Sequence, residues 1–182
     1  MWFRVVLGIA AFGLLSACTS GSTIISSTDT QRYIPQSNAG FVGNGQLVLI
    51  GDSTTPEERT QLAQVAATGI ADGAFGTKFQ LTPSELAESP SKNRVVVAIG
   101  GANSWRLCDA PPERGGAFNG LGLTVSAAAC SGTTRLSSTN ASISRLNGAD
   151  DPALENFFAQ IGAALFPGRN IDYLLRDQDF DF

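Results

Sequence analysis

The sequence predicts an α+β domain, a two-layer sandwich in which a mixed sheet of about four strands carries helices on one face. Three observations predict it. Two short runs rich in Val, Leu and Ile, Gln46–Ile50 and Arg94–Ile99, each end at glycine, as buried strands do. A third stretch alternates apolar and small or polar residues from Leu121 to Ala129 and doubles back after a turn. Two further segments repeat apolar residues at helical spacing on one face only. The order of elements is β-α-β-β-β-α, all within residues 41–168.

The first strand, Gln46–Ile50, leads into Thr55-Pro56-Glu57-Glu58. Thr55 can cap a helix, proline suits the first helical position, and Glu58 stands where a capping box needs its acid. Leu62, Val65, Ala66, Gly69 and Ile70 then share one face of a helix running to about Asp72, with Gly73 and Gly76 as stop signals. Ala66 and Gly69 are small enough to let that helix lie close to a sheet. Residues 74–93 read as loop, with one helical turn at Thr82-Pro83-Ser84-Glu85. Arg94–Ile99 is the central strand, and a right-handed crossover joins it to the first if the two are parallel neighbours. Residues 109–119 carry Pro111, Pro112, Gly115 and Gly116 and read as a surface loop. The alternating strand follows, Ser131-Gly132 turns tightly, and Thr133 to about Arg145 returns as its hairpin partner. In the last helix Asp151 caps, Pro152 starts, and Leu154, Phe157, Phe158, Ile161 and Leu165 form the apolar stripe up to Phe166-Pro167-Gly168.

Ahead of the domain, Arg4 is followed by an apolar or small-residue run from Val5 to Leu15, the length of a signal-peptide core and too short to span a bilayer. The run closes in Leu15-Ser16-Ala17-Cys18, which resembles the lipobox of bacterial lipoproteins. That resemblance implies cleavage after residue 17, with Cys18 acylated as the first residue of the mature chain. Its acyl chains would then hold the membrane. In Gram-negative lipoproteins the residue after the lipidated cysteine directs sorting; Thr19 is not the aspartate associated with inner-membrane retention. The resemblance therefore implies an outer-membrane protein facing the periplasm. Residues 18–40, rich in Ser and Thr, read as the lipidated cysteine and a flexible tether spanning roughly 25 Å on average, with an edge strand near Thr23–Ser27 as the alternative. Residues 41–168 also resemble small Gram-negative lipoproteins that share the Val-rich strand, a cysteine pair and a "DDPA…LFP" helix. That likeness brings no activity with it.

Removing residues 1–17 leaves 165 residues with 11 basic and 16 acidic groups, a formal charge of −5. Such an acidic surface argues against nucleic acid as a partner and against electrostatic adhesion to anionic lipid. Cys108 and Cys130 are the remaining cysteines, and an even pair in an exported chain reads as a disulfide. Metal binding competes poorly, because the chain has no histidine and this spacing matches no zinc motif. No cofactor motif is present either.

One stretch invites an enzymatic reading. Gly51-Asp52-Ser53 follows a strand and Gly101-Ala102-Asn103-Ser104 follows another, which resembles the serine hydrolases of the G-D-S type. That family needs a histidine near its C-terminus, and Ser104 stands where it has an aspartate. Serine requires a neighbouring base to accept its proton. Lys78 and Lys92 fall in predicted loops, and nothing selects Asp52 for the task. The stretch is better explained as a turn leading into a capped helix. Trp105 with Arg106 could form a binding lip, although an aromatic ring beside a disulfide more often packs. The leading reading is a non-enzymatic module that contacts other envelope components. The alternatives are a hydrolase using Ser53 with an unusual base and a small-ligand carrier with a cavity between sheet and helices. The tail, residues 169–182, alternates acids with aromatics in "DQDFDF" and reads as a frayed end or a docking segment.

Overall fold

The computed structural model describes residues 22–30, 32–33, 39–43, 45–52, 55–76, 78–84, 93–112 and 114–168. The leader, Cys18, Ser53 and the acidic-aromatic tail lie outside the described residues.

In chain order the elements are β1 (Thr23–Asp29), β2 (Gly45–Ile50), α1 (Pro56–Gly73), β3 (Leu81–Ser84), β4 (Asn93–Ile99), a 3₁₀ turn (Ser104–Arg106), β5 (Gly122–Ser131), β6 (Thr134–Ser144) and α2 (Ala153–Leu165). They make an α+β fold with one six-stranded mixed sheet, ordered β1-β6-β5-β4-β2-β3. β2 runs parallel to both β3 and β4, while β4, β5, β6 and β1 alternate antiparallel. The four strands expected from the sequence form the middle of the sheet. The two additional strands are its edges, where an element buries one side only and needs no apolar period.

β1 is the edge strand weighed as the alternative for residues read first as tether, so the domain begins well before residue 41. Its sequence, TIISSTD, places only Ile25 against the core and is otherwise held by hydrogen bonds. Ser26 Oγ donates to Asn140 O at 3.1 Å, Thr139 Oγ1 donates to Ser27 O at 2.8 Å, and Asn140 Nδ2 donates to Ser27 Oγ at 2.7 Å. Tyr33, in the same stretch, is fully buried. β3 replaces the helical turn expected at Thr82–Ser84. Its Pro83 has no N–H to give a second neighbour, which confines such a strand to an edge.

Both helices lie on one face. The start of α1 carries the complete capping box: Glu58 N donates to Thr55 Oγ1 at 3.1 Å, and Thr55 N donates to Glu58 Oε2 at 3.2 Å. Leu62, Ala66 and Ile70 face the core, packed with Leu47, Val95 and Val97 of the sheet. Gly69 serves a different contact from the one expected. A Cβ there would come within 2.8 Å of Phe158 Cβ, and side chains at Gly73 and Gly162 would overlap the facing helix backbone. Glycine thus serves the close approach of α1 to α2, while Leu62, Ala66 and Ile70 face the sheet. α2 begins one residue later than its sequence suggests. Asp151 still serves its start, because Oδ1 accepts from Ala153 N at 2.9 Å. Its other oxygen accepts from Asn147 N at 2.9 Å. Ser137 Oγ donates to Leu165 O at 2.6 Å and ties the far end of the helix to β6.

These bonds leave a pH signature. The N–H of Ala153, then that of Asn147, hold the Asp151 carboxyl below its ordinary value, against a smaller opposing effect of burial. A carboxyl with a depressed folded pKa stabilises above its unfolded value, about pH 4, and loses that contribution as pH falls through the folded value. Acid titration of unfolding should therefore show a destabilising limb below about pH 4 that is shallower in Asp151→Asn. Identical limbs in the two proteins would refute the assignment.

The opposite face of the sheet is also covered, but only over β2, β4 and β5. Val48, Ile50, Val96 and Ala98 pack there beneath Leu107 and Cys108 of the β4–β5 connection. This second small core explains why β2 and β4 read as unbroken apolar runs. Cys108 and Cys130 are joined across it, with S–S 2.00 Å and Cα–Cα 5.6 Å, consistent with the pairing expected.

Candidate interaction surface

The disulfide and the 3₁₀ turn place one aromatic ring at the margin of this cover, beside β6 and β1. Asn103 caps the turn, its Oδ1 accepting from Trp105 N at 3.0 Å. Trp105 is 62% exposed, yet it is not unsupported. The Arg135 guanidinium of β6 lies 4.1 Å from its ring centroid, within cation–π range. The same guanidinium binds Asp29 of β1, Nη2 to Oδ2 at 2.8 Å, with both side chains largely buried. Nη1 reaches Ser138 Oγ at 3.4 Å. Three segments distant in sequence thus converge: the β4–β5 connection supplies the ring, β6 the cation and β1 the counter-ion.

A polar ladder runs beside this corner. Ser126 Oγ lies 2.6 Å from both Ala102 O and Asn140 Oδ1, and its single proton can serve only one of them at a time. Asn140 Nδ2 approaches Ser104 Oγ at 3.5 Å. These contacts fix the 3₁₀ turn to the sheet and so fix Trp105. The partner of Trp105 is Arg135, not the Arg106 beside it in sequence. No local signal could have supplied that pairing, because Arg135 and Asp29 meet only through the β1–β6 register, 106 residues apart.

The remaining candidates come out differently. Ser53 lies outside the described residues, and Asn103, which the hydrolase resemblance pairs with it, is engaged as the cap of the 3₁₀ turn. Asp52 continues β2 through a bridge to Ala117, its N donating to Gly116 O at 3.1 Å and its O accepting from Phe118 N at 2.8 Å. Gly100 and Gly101 end β4 with φ of 86° and 76°. A Cβ at Gly100 would come within 2.7 Å of Gly116 Cα, so glycine here serves close loop packing. Two grooves of 410 and 310 Å³ lie between α1 and β3, meeting at Gln64. The larger contains Arg59, whose guanidinium donates to Leu49 O and Gly51 O at 3.1 and 2.9 Å. Both grooves lie between α1 and the β2–β3 edge of the sheet. Among the described residues, no group of three or more His, Cys, Asp or Glu side chains could hold a metal. No helix among them is long and apolar enough to cross a membrane.

No protein-family model matches the chain, and no curated protein matches it. Among solved structures it is similar to a PelC dodecamer from Paraburkholderia phytofirmans, at 12% identity and a TM-score of 0.42, over 82% of this chain and 99% of that one. A point variant of PelC from the same organism, also a dodecamer, gives 11% identity and a TM-score of 0.40, over 81% and 98%. Neither likeness bears on what this chain does.

Proposed function

We propose that the protein is a non-enzymatic, lipid-anchored module of the cell envelope, tethered to the outer membrane by acyl chains on Cys18. Its domain faces the periplasm and contacts another envelope protein through the surface formed by Trp105, Arg135 and Asp29. The observation that carries this reading is Trp105 itself. A folded chain that leaves a tryptophan 62% exposed, and braces it from below with a salt-bridged arginine, has held a large rigid contact surface in place. Aromatic and arginine side chains are the residues most enriched among those that dominate binding energy at interfaces. The lipobox supplies the anchor.

Short-range crosslinking of the full chain in its own envelope, followed by affinity capture, tests both parts. Trp105→Ala should leave the thermal midpoint nearly unchanged but reduce the captured partner roughly 10-fold or more, the scale of an interface hot spot. Cys18→Ser should yield an uncleaved or misprocessed species lacking lipid. Undiminished capture by Trp105→Ala would remove the surface from the reading. Normal processing and membrane extraction of Cys18→Ser would remove the anchor.

A further inference from the structure

We propose that a second surface, the end of the sheet carrying Ile24 and Leu121, rests on the phospholipid surface, so that Trp105, Arg135 and Asp29 point away from it. This inference depends on acylation of Cys18, as read above.

Chain length is the first argument. β1 starts at Thr23, only five residues after Cys18, so that residue 23 stays within about 17 Å of the anchor even with the chain fully extended. The register of the sheet then decides which end must be close. Thr23 stands opposite Ile143 of β6, and Ile143 opposite Leu123 of β5. The start of β1, the end of β6 and the start of β5 therefore form one rim. Arg135 lies eight residues back along β6, about 27 Å from that level. A five-residue connection cannot place the anchor beside Arg135.

The chemistry of the rim is the second argument. Ile24 is 57% exposed and Leu121 is 71% exposed, large apolar side chains at the end nearest the anchor. Leu121 is held there by its carbonyl, which accepts from Leu146 N at 3.0 Å. Between them in the sheet, at the end of β6, the exposed Arg145 adopts φ 63° and offers a cation to a lipid phosphate. Arg114 adds to Arg145, but the exposed carboxylates of Asp52, Glu57 and Asp150 offset both. The rim therefore has no net attraction for anionic lipid, and the contact rests on the tether and the apolar side chains. It should form on zwitterionic bilayers and change little with salt.

The acylated full chain, reconstituted in phosphatidylcholine vesicles containing a nitroxide-labelled lipid, tests the orientation. An environment-sensitive fluorophore is placed through Ile24→Cys, Leu121→Cys or Thr133→Cys, the last at the exposed β5–β6 turn. Because all three positions are exposed, Cys108 and Cys130 are bonded to each other and the Cys18 sulfur of the acylated chain carries lipid, each variant presents one reactive thiol. Lipid quenching several-fold stronger at 24 and 121 than at 133 is expected. Equal quenching at all three positions, or stronger quenching at 133, overturns the orientation while an acyl mass on Cys18 leaves the anchor standing. Absence of that mass overturns both.

Discussion

Replacing Phe166 with alanine should cost about 3–5 kcal/mol of folding free energy, the range for deleting a fully buried phenylalanine. Phe166 closes α2 with no solvent exposure. Its ring meets Phe79 at 5.1 Å, Phe41 at 5.2 Å and Tyr33 at 6.1 Å between centroids, each close to edge-on. Those three rings come from two connections, Tyr33 and Phe41 from β1–β2 and Phe79 from α1–β3, and Phe166 meets all of them. In a domain of this size each kcal/mol moves the midpoint by about 2–4 °C, so the variant should melt roughly 10 °C lower. Thermal and denaturant unfolding followed by circular dichroism would read both quantities. A loss below about 1 kcal/mol would mean that these rings do not form a packed cluster.

Cys108→Ser should cost on the order of 3 kcal/mol, because it releases a loop of 22 residues from the unfolded chain's constraint. It should also free the β4–β5 connection from the outer face of the sheet, where Cys108 and Cys130 pack against Val96 and Ala128. Trp105 is three residues from Cys108, and after removal of residues 1–17 it is the only tryptophan in the chain. Its fluorescence should therefore change with loss of the disulfide as Arg135 ceases to hold the ring. Denaturant unfolding gives the stability, and tryptophan emission of the native state gives the ring. Two freely alkylated thiols in the purified wild-type protein would contradict the premise.

The helices and the central strands were legible because each satisfies itself locally. Thr55, Pro56 and Glu58 cap α1 within four residues, and that pattern needs no tertiary partner to be recognised. Leu154, Phe157, Phe158, Ile161 and Leu165 recur at helical spacing because one face of α2 is buried. β4 is buried on both faces, so valine follows valine. The edge strands carried no such signal. TIISSTD resembles a linker because its stability comes from hydrogen bonds to β6, more than 110 residues later. Gly69 was visible as a small residue on a buried face, but which neighbour needed the space was not.

By itself the sequence determined the α+β class, the two capped helices, the inner four strands and the pairing available to Cys108 and Cys130. Each follows from periodicity, capping chemistry or residue count, all of which act over a few residues or over the whole composition. Only the tertiary structure decided where the sheet ends, that α1 and α2 approach through Gly69, Gly73 and Gly162, and that Trp105 rests on Arg135 with Asp29 behind it. Edge pairing, close helix packing and a cation under a ring are contacts between distant segments. Their energy depends on register and distance in the folded chain, which no local pattern encodes.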